Sequence, residues 1–209
     1  MFLETYSVRE MPSKQAMEVV IEKHYLHRRA PCSKAFGLFL GEELKGVCLY
    51  GISASSTLLR GVCGEEESKN VYELTRLWVD DAVPRNGESF LIGNSLKKLD
   101  KEIIVSYADA SRGHVGLVYQ ATNWIYTGLS AKFKDPKVKG YENKHHTSYA
   151  HGMTNKQVIE HFGEENVYFV ERPRKHRYVC FNAKGKRKKQ LLLKLKYKVL
   201  PYPKLTVTK

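Results

Sequence analysis

VYELTRLWVDDAVPRNGESFLIGNSLKKLDKEIIVSYAD, residues 71–109, is the stretch whose reading decides the fold. Its first nine residues are rich in β-branched and aromatic side chains, which predicts a strand over 71–79. A polar loop over 80–88 follows, and Ile92, Leu96 and Leu99 then recur on one face of a helix expected from Ser89 to Leu99. Ile103, Ile104 and Val105 open a buried strand over 103–108. Strand, helix, strand in that order implies a parallel pair with a crossover, and so an α/β architecture. The strand runs into the short polar segment Asp109-Ala110-Ser111-Arg112-Gly113-His114. Beyond it, Val115, Val118, Tyr119 and Thr122 predict a helix over 113–125.

Upstream, Ala16, Val19, Val20 and Lys23 predict a helix over 13–27 with Ser13 as its cap. The apolar runs 36–40 and 44–52, joined by Gly41-Glu42-Glu43, read as a hairpin. Downstream, Thr154 and Gln157 have capping-box spacing, opening a short helix that Gly163 ends. Strands are expected at 166–171 and 176–182, and alternating lysine and apolar residues suggest another from Leu193 to Val199. The expected fold is a single-domain mixed sheet flanked by helices.

With 42% hydrophobic and 27% charged residues among 209, the chain is of globular composition. No apolar run approaches the roughly 20 residues that span a bilayer, and Met1-Phe2-Leu3-Glu4 lacks a signal-peptide layout. Cys32, Cys48, Cys63 and Cys180 are scattered without CxxC spacing, so free thiols and a cytoplasmic location are expected. The net charge of +13 is uneven. Residues 172–209 hold 14 Lys and Arg and no Asp or Glu, while the other 171 residues hold 21 basic and 22 acidic groups. That asymmetry divides the chain into a near-neutral unit over 1–171 and a basic segment over 172–209, packed on the same domain. Its partner should be a polyanion, with nucleic acid favoured over a membrane surface.

Several motifs in order, HY at 24–25, ELTRLWVDD at 73–81, SYADAS at 106–111 and GHVGLVYQATNWIYTG at 113–128, resemble the Mom DNA-modification proteins of Mu-like bacteriophages. The resemblance covers residues 20 to 130. It implies an acetyltransferase-like (GNAT) fold. It also implies an activity, conversion of adenine in duplex DNA to an N6-carbamoylmethyl derivative, which protects phage DNA from restriction in the bacterial host cytoplasm. By the same resemblance His24, Tyr25, Asp109 and Tyr119 are candidate catalytic residues, and Arg76 and Ser89 candidate donor-binding residues. In that fold the helix after 71–79 binds the diphosphate of an acyl-coenzyme A at its N-terminus. Arg85 and Gly87 therefore join the donor set, although the spacing of Arg85-Asn86-Gly87-Glu88-Ser89 departs from the usual fingerprint. Arg112, Lys186, Arg187, Lys188 and Lys189 are candidate phosphate contacts, and Tyr25, Trp124 and Tyr126 candidate stacking partners for an extruded base.

The adenine N6 lone pair is delocalised into the ring, so an enzyme there must remove a proton as the new bond forms. His24 or Asp109 suits that base, and the Tyr119 phenol suits an acid for the leaving group. An acetyl transfer would give an N-acetyl base, so the chemistry implied differs from ordinary acetyl transfer. No resident metal is expected: His24 and His27, three apart, with His145, His146 and His151, show no recognised ligand spacing. Two other classes fit the residues, an N-acyltransferase acting on a protein or small molecule, and a nucleic-acid-binding protein without catalysis.

Overall fold

The computed structural model describes residues 5–142, 144 and 148–205. His145 and His146 lie outside the described residues. Nine strands and six α-helices follow in order among the described residues. β1 (Tyr6–Glu10), α1 (Ser13–Lys23), β2 (Lys34–Leu40), β3 (Glu43–Gly51), α2 (Ser56–Cys63) and β4 (Val71–Val79) form the first half. The second half is α3 (Gly87–Leu96), β5 (Ile103–Asp109), α4 (Leu117–Ala121), β6 (Ile125–Leu129), β7 (Lys134–Val138), α5 (Asn155–Phe162), β8 (Val167–Glu171), β9 (Lys175–Phe181) and α6 (Gly185–Lys194).

Seven strands make one sheet in the order β1-β2-β3-β4-β5-β9-β6, and β7 and β8 form a separate pair. Among the described residues only β4 and β5 run parallel, with α3 as their crossover. The expected mixed α/β sheet flanked by helices is therefore what the chain adopts. Period-two alternation splits the buried residues between the faces. Phe36, Leu38, Cys48 and Tyr50 meet Leu91 and Ile92 of α3 on one side. Ala35, Val47 and Leu49 meet Ala16, Met17 and Val20 of α1 on the other.

The parallel pairing of β4 and β5 is short. It covers Val71 to Glu73 against Ile103 to Val105, although both strands continue beyond it. From Leu74 and Ser106 onward the strands diverge. Divergence orphans backbone acceptors that a ladder would have satisfied. Here the Ser106 hydroxyl lies 3.0 Å from the Leu74 carbonyl oxygen and replaces the missing bond. The open end of that wedge is where the cleft forms.

Three expected elements differ. α1 ends at Lys23 rather than residue 27, because His24 is extended (ψ 136°) and His27 adopts a left-handed φ of 43°. His24 and His27 thus share no helix face. Its start is also uncapped by a side chain, with Pro12 at the cap position. The helix expected over 113–125 is reduced to α4, five residues long, preceded by a 3-10 turn over 110–112 and left-handed glycines at 113 and 116. The strand expected from Leu193 to Val199 is absent: α6 runs through Lys194, and extended chain follows. Leu191 and Leu195, one helical turn apart, drop into the core formed by Val62, Ile103, Val105 and Val179, and that spacing overrides the alternation. The capping box at Thr154 and Gln157 and the stop at Gly163 are as expected. All four cysteines are free.

Candidate active site

The wedge between β4 and β5 opens into a cleft of about 620 Å³. His24, Tyr25, Arg76, Asp109 and Tyr119 all line it, together with Glu73, Tyr107, His114 and Lys175. Four pieces of chain distant in sequence converge: the end of α1, the outer half of β4, the continuous stretch from the end of β5 through α4, and the start of β9.

The end of α1 supplies an aromatic pair. The His24 and Tyr25 rings stack with centroids 4.4 Å apart, and Tyr25 meets His114 edge-on at 6.1 Å. His24 is buried, while Tyr25 is 44% exposed and free to meet a planar ligand. The Leu26 amide donates to His24 Nδ1 at 3.1 Å. An amide can only donate, so neutral His24 carries its proton on Nε2. Burial, reinforced by Arg76, His27 and Arg28, lowers its pKa to about 4. His24 is consequently a neutral hydrogen-bond donor at pH 7, and a poor base.

Arg76 is a half-buried cation on the cleft wall. Its Nη1 donates to the Thr75 carbonyl at 2.6 Å and its Nη2 to the Arg29 carbonyl at 3.3 Å. Nε is buried without a hydrogen-bond partner among the described residues. Burial first, then Arg28, lowers its pKa. A guanidinium on a cleft wall can donate to an anionic or carbonyl oxygen.

Asp109 ends β5 and caps the 3-10 turn that follows. Its Oδ1 accepts from the Ser111 amide at 3.0 Å and from the Ser111 hydroxyl at 2.6 Å. Tyr119 enters from α4, only 7% exposed, between the Trp124 and Tyr178 rings at 5.0 and 5.2 Å. Its Oη lies 2.8 Å from Ser106 Oγ, and burial raises its pKa to about 12. Ser106 has one proton and two acceptors, the Leu74 carbonyl and Tyr119 Oη. When the Ser106 proton points to Oη, the phenol keeps its own proton and is left to donate it elsewhere.

Gly116 makes this entry possible. Its φ is +78°, and a Cβ there would fall 2.5 Å from the Tyr178 ring. Both the left-handed backbone and the close approach demand glycine. Gly116→Ala is expected to lower the melting temperature by at least ~2–4 °C, the shift that about 1 kcal/mol produces in a chain of this size. An unchanged melting curve would show that the turn relaxes freely.

Ser106, His114 and Lys175 are the site residues that sequence reasoning missed. Ser106 lies inside the SYADAS motif but reads as an ordinary strand residue. Lys175 reaches the cleft only because β9 pairs with β5, with Asp109 opposite Lys175, and nothing local to either residue announces that. Trp124, expected as a stacking candidate, is fully buried, and Tyr126 is nearly so. Neither is open to a base.

The expected donor residues divide. Arg76 lines the cleft; Arg85, Gly87 and Ser89 do not, whereas the carboxylates Asp81 and Glu88 do. The Gly87 amide closes onto the Pro84 carbonyl at 3.1 Å, and the Ser89 hydroxyl turns back onto the Asn86 carbonyl at 3.0 Å. A Cβ on Gly87 would strike Val83 at 2.5 Å, so the glycine serves packing rather than a phosphate cradle. Neither the Gly87 amide nor the Ser89 hydroxyl is open to a diphosphate. Among the described residues no group of three or more His, Cys, Asp and Glu side chains is placed to hold a metal ion.

The expected phosphate contacts divide as well. Lys186, Lys188 and Lys189 are exposed on α6. Arg187 turns inward, bonding Glu67 at 2.8 and 2.9 Å and Glu102 at 2.8 Å. Arg112 sits beside the cleft, its guanidinium 5.7 Å from the Tyr25 ring centroid. Residues 195–205 form a strap along the body. The Lys196 amide bonds the Val62 carbonyl, the Leu200 amide the Tyr126 carbonyl, and Tyr202 Oη the Trp124 carbonyl. The strap brings Leu205 to the cleft wall.

Residues 5–204 match the Mom protein family. The chain belongs to that family. A Mom relative, the methylcarbamoylase mom of Escherichia phage Mu, is 32% identical over 204 residues, covering 90% of this chain and 80% of the relative. Solved structures that overlay on this Mom-family chain include an N-acetyltransferase from Staphylococcus aureus Mu50, at 10% identity and a TM-score of 0.47, covering 85% of this chain and 99% of that one. Another is yncA, a putative acetyltransferase from Salmonella typhimurium with its cofactor acetyl-CoA, at 8% identity and a TM-score of 0.48, covering 87% and 96%. Both overlays are loose. No helix among the described residues is long and apolar enough to cross a membrane.

Proposed function

We propose that this Mom-family protein is a DNA-modifying transferase. It attaches a carbamoylmethyl group to N6 of adenine in duplex DNA and so shields phage DNA from restriction. The observation that carries this reading is the convergence of His24, Tyr25, Asp109 and Tyr119 on one cleft in a chain related to a methylcarbamoylase. A cleft of about 620 Å³ has room for a base and a small donor together. N6 of a stacked adenine is out of reach of such a recess, so the base must be extruded into it.

In this reading Tyr25 stacks on the base and Arg76 holds an oxygen of the donor. As the N6–carbon bond forms and the donor's carbon–leaving-group bond breaks, Asp109 accepts the N6 proton and Tyr119 supplies one to the leaving group. His24, neutral and protonated on Nε2, orients rather than abstracts. Tyr119, with its pKa near 12, keeps its proton until a more basic atom approaches. The exposed Lys186, Lys188 and Lys189, with Arg112, contribute phosphate contacts, and Arg187 is withdrawn from that set.

The test is mass analysis of nucleosides from plasmid DNA of cells producing the protein, with restriction digestion of the same DNA. A carbamoylmethylated deoxyadenosine and resistance to cleavage are expected. Tyr119→Phe should reduce the yield about 100-fold with duplex binding retained, since Ser106 keeps its bond to Leu74. Unmodified DNA from the parental protein, with an acyl group appearing instead on a protein, would move the chain to the acyltransferase class.

A further inference from the structure

The β6–β9 hairpin does not stop at the cleft. The Ser130 amide bonds the Lys175 carbonyl, the Arg172 amide bonds the Phe133 carbonyl, and β7 then pairs with β8 from Lys134 opposite Glu171 to Val138 opposite Val167. One bent antiparallel ribbon therefore leaves the sheet beside Asp109 and Lys175. Its two faces differ. Val138 and Val167 lie on one and pack with Ala150 and Val158 of the tip. Lys137 opposite Tyr168 and Asp135 opposite Val170 lie on the other. Alternation continues that second face to Phe133 and Arg172. Their contacts agree: Arg172 Nε donates to Asp135 at 2.9 Å, and its guanidinium lies 5.9 Å from the Phe133 ring centroid.

The second face is open along its length, whereas among the apolar residues of the first only Phe169 is exposed, at 42%. Phe133 is 57%, Val170 43% and Tyr168 39% exposed. Lys137 and Arg172 lie on the second face, Arg172 paired with Asp135. Lys134 lies opposite Glu171 on the first face, and Lys132 and Arg174 flank the ribbon's base, Arg174 bonding the Ser130 and Leu129 carbonyls. The ribbon thus carries five cations against two carboxylates, Asp135 and Glu171. At its base a cavity of about 230 Å³ is lined by Lys132, Phe133, Lys134, Glu171, Arg172 and Arg174.

We propose that this ribbon is the seat for duplex DNA, its cations contacting backbone phosphates and Phe133 and Tyr168 meeting bases. The proposal rests on the DNA-modifying reading above and gives it an interface. A two-stranded ribbon fits the major groove, roughly 12 Å wide. Exposed aromatics interleaved with cations are the chemistry of nucleic-acid contact rather than of an apolar protein interface. The placement serves the cleft too. Arg172 is three residues from Lys175, at most about 10 Å of extended chain, so a nucleotide seated on the ribbon has its neighbour within reach of Asp109.

The experiment uses the full chain with Lys132, Lys134 and Lys137 changed together to Gln, and separately Phe133→Ala. Affinity for a fluorescein-labelled, adenine-containing duplex is read by anisotropy across a salt series, beside melting temperature and modified-adenine yield. The triple variant is expected to bind at least about 10-fold more weakly, with the salt slope reduced by roughly 2–3, because each lost phosphate contact releases fewer counterions. Phe133→Ala should reduce yield more than affinity. If the parental protein binds duplex and both variants match it in affinity, slope and yield, the ribbon is not the seat, and the DNA-modifying reading survives. If the parental protein binds no duplex, that reading itself fails. Loss of binding to anionic lipid vesicles, with duplex affinity intact, would assign the ribbon to a membrane surface and overturn the proposal.

Discussion

Asp109→Asn should leave plasmid adenine almost unmodified, with a yield lowered roughly 10²–10⁴-fold, the usual worth of a positioned general base. The substitution is clean for a structural reason. Asp109 caps the turn through Oδ1, which accepts from the Ser111 amide and hydroxyl. Asparagine keeps an acceptor oxygen at that atom and loses only the charge and the basicity. The melting temperature should therefore stay close to the parental value. His24→Gln makes the comparison sharper, because a histidine with a pKa of about 4 and its proton on Nε2 is not the competing base. That variant should retain measurable yield. Nucleoside mass analysis and melting curves on both proteins check this; near-parental yield in Asp109→Asn would leave the aspartate as a cap and nothing more.

The second large effect is on stability. Arg187 bonds Glu67 and Glu102, Lys194 bonds Glu66 and Glu67, and Glu67 is itself almost fully buried. The network ties α6 to the 3-10 turn before β4. Arg187→Ala removes the two-point contact from the buried carboxylate and leaves it Lys194 and Asn70, a loss of charge-assisted hydrogen bonds that costs roughly 1.5–3 kcal/mol, or a fall on the order of 5 °C in melting temperature. A pH dependence follows. Hydrogen bonds from Arg187 and Lys194 lower the Glu67 pKa to about 2, below the unfolded carboxylate value of about 4.3. The stabilisation is full above that unfolded value and is lost as pH falls through the folded one. The parental melting temperature should drop between about pH 4 and 2, and Glu67→Gln should flatten that drop. Duplex affinity of folded Arg187→Ala, measured well below its melting temperature, should match the parental protein. A large loss of affinity there would return Arg187 to the phosphate-contact set.

Elements with a strong local period were legible in the sequence. The strand over 71–79 and the capping box at Thr154 coincide with β4 and α5. What was illegible depends on long-range company. The 113–125 pattern has helical spacing, but Gly116 must pass against Tyr178, more than sixty residues away, and the helix is cut to α4. The alternation from Leu193 to Val199 failed for the same reason in reverse, since Leu191 and Leu195 answer to a core assembled from α2, β5 and β9. Of the candidate site, His24, Tyr25, Arg76, Asp109 and Tyr119 follow from the resemblance and share one cleft. Arg85, Gly87 and Ser89 follow from a helix start whose glycine is a packing contact with Val83. Net charge could count cations but not aim them. Arg187 is one residue from exposed lysines, and only its neighbours Glu67 and Glu102 turn it inward.

The position of β9 between β5 and β6 has a consequence for how the protein comes to exist in a cell. During synthesis β4 and β5 emerge long before residues 175–181, so the growing chain holds β5 with an unpaired edge bearing Ile103, Ile104 and Val105. Such an edge invites pairing with other chains, and pairing across so much intervening sequence is slow. Asp109 lacks its opposite, Lys175, throughout that interval, and the ribbon beyond it has only one of its two strands. The cleft thus comes together in one late event rather than by stages, and any product interrupted before Phe181 is a sticky fragment, not a weakened enzyme.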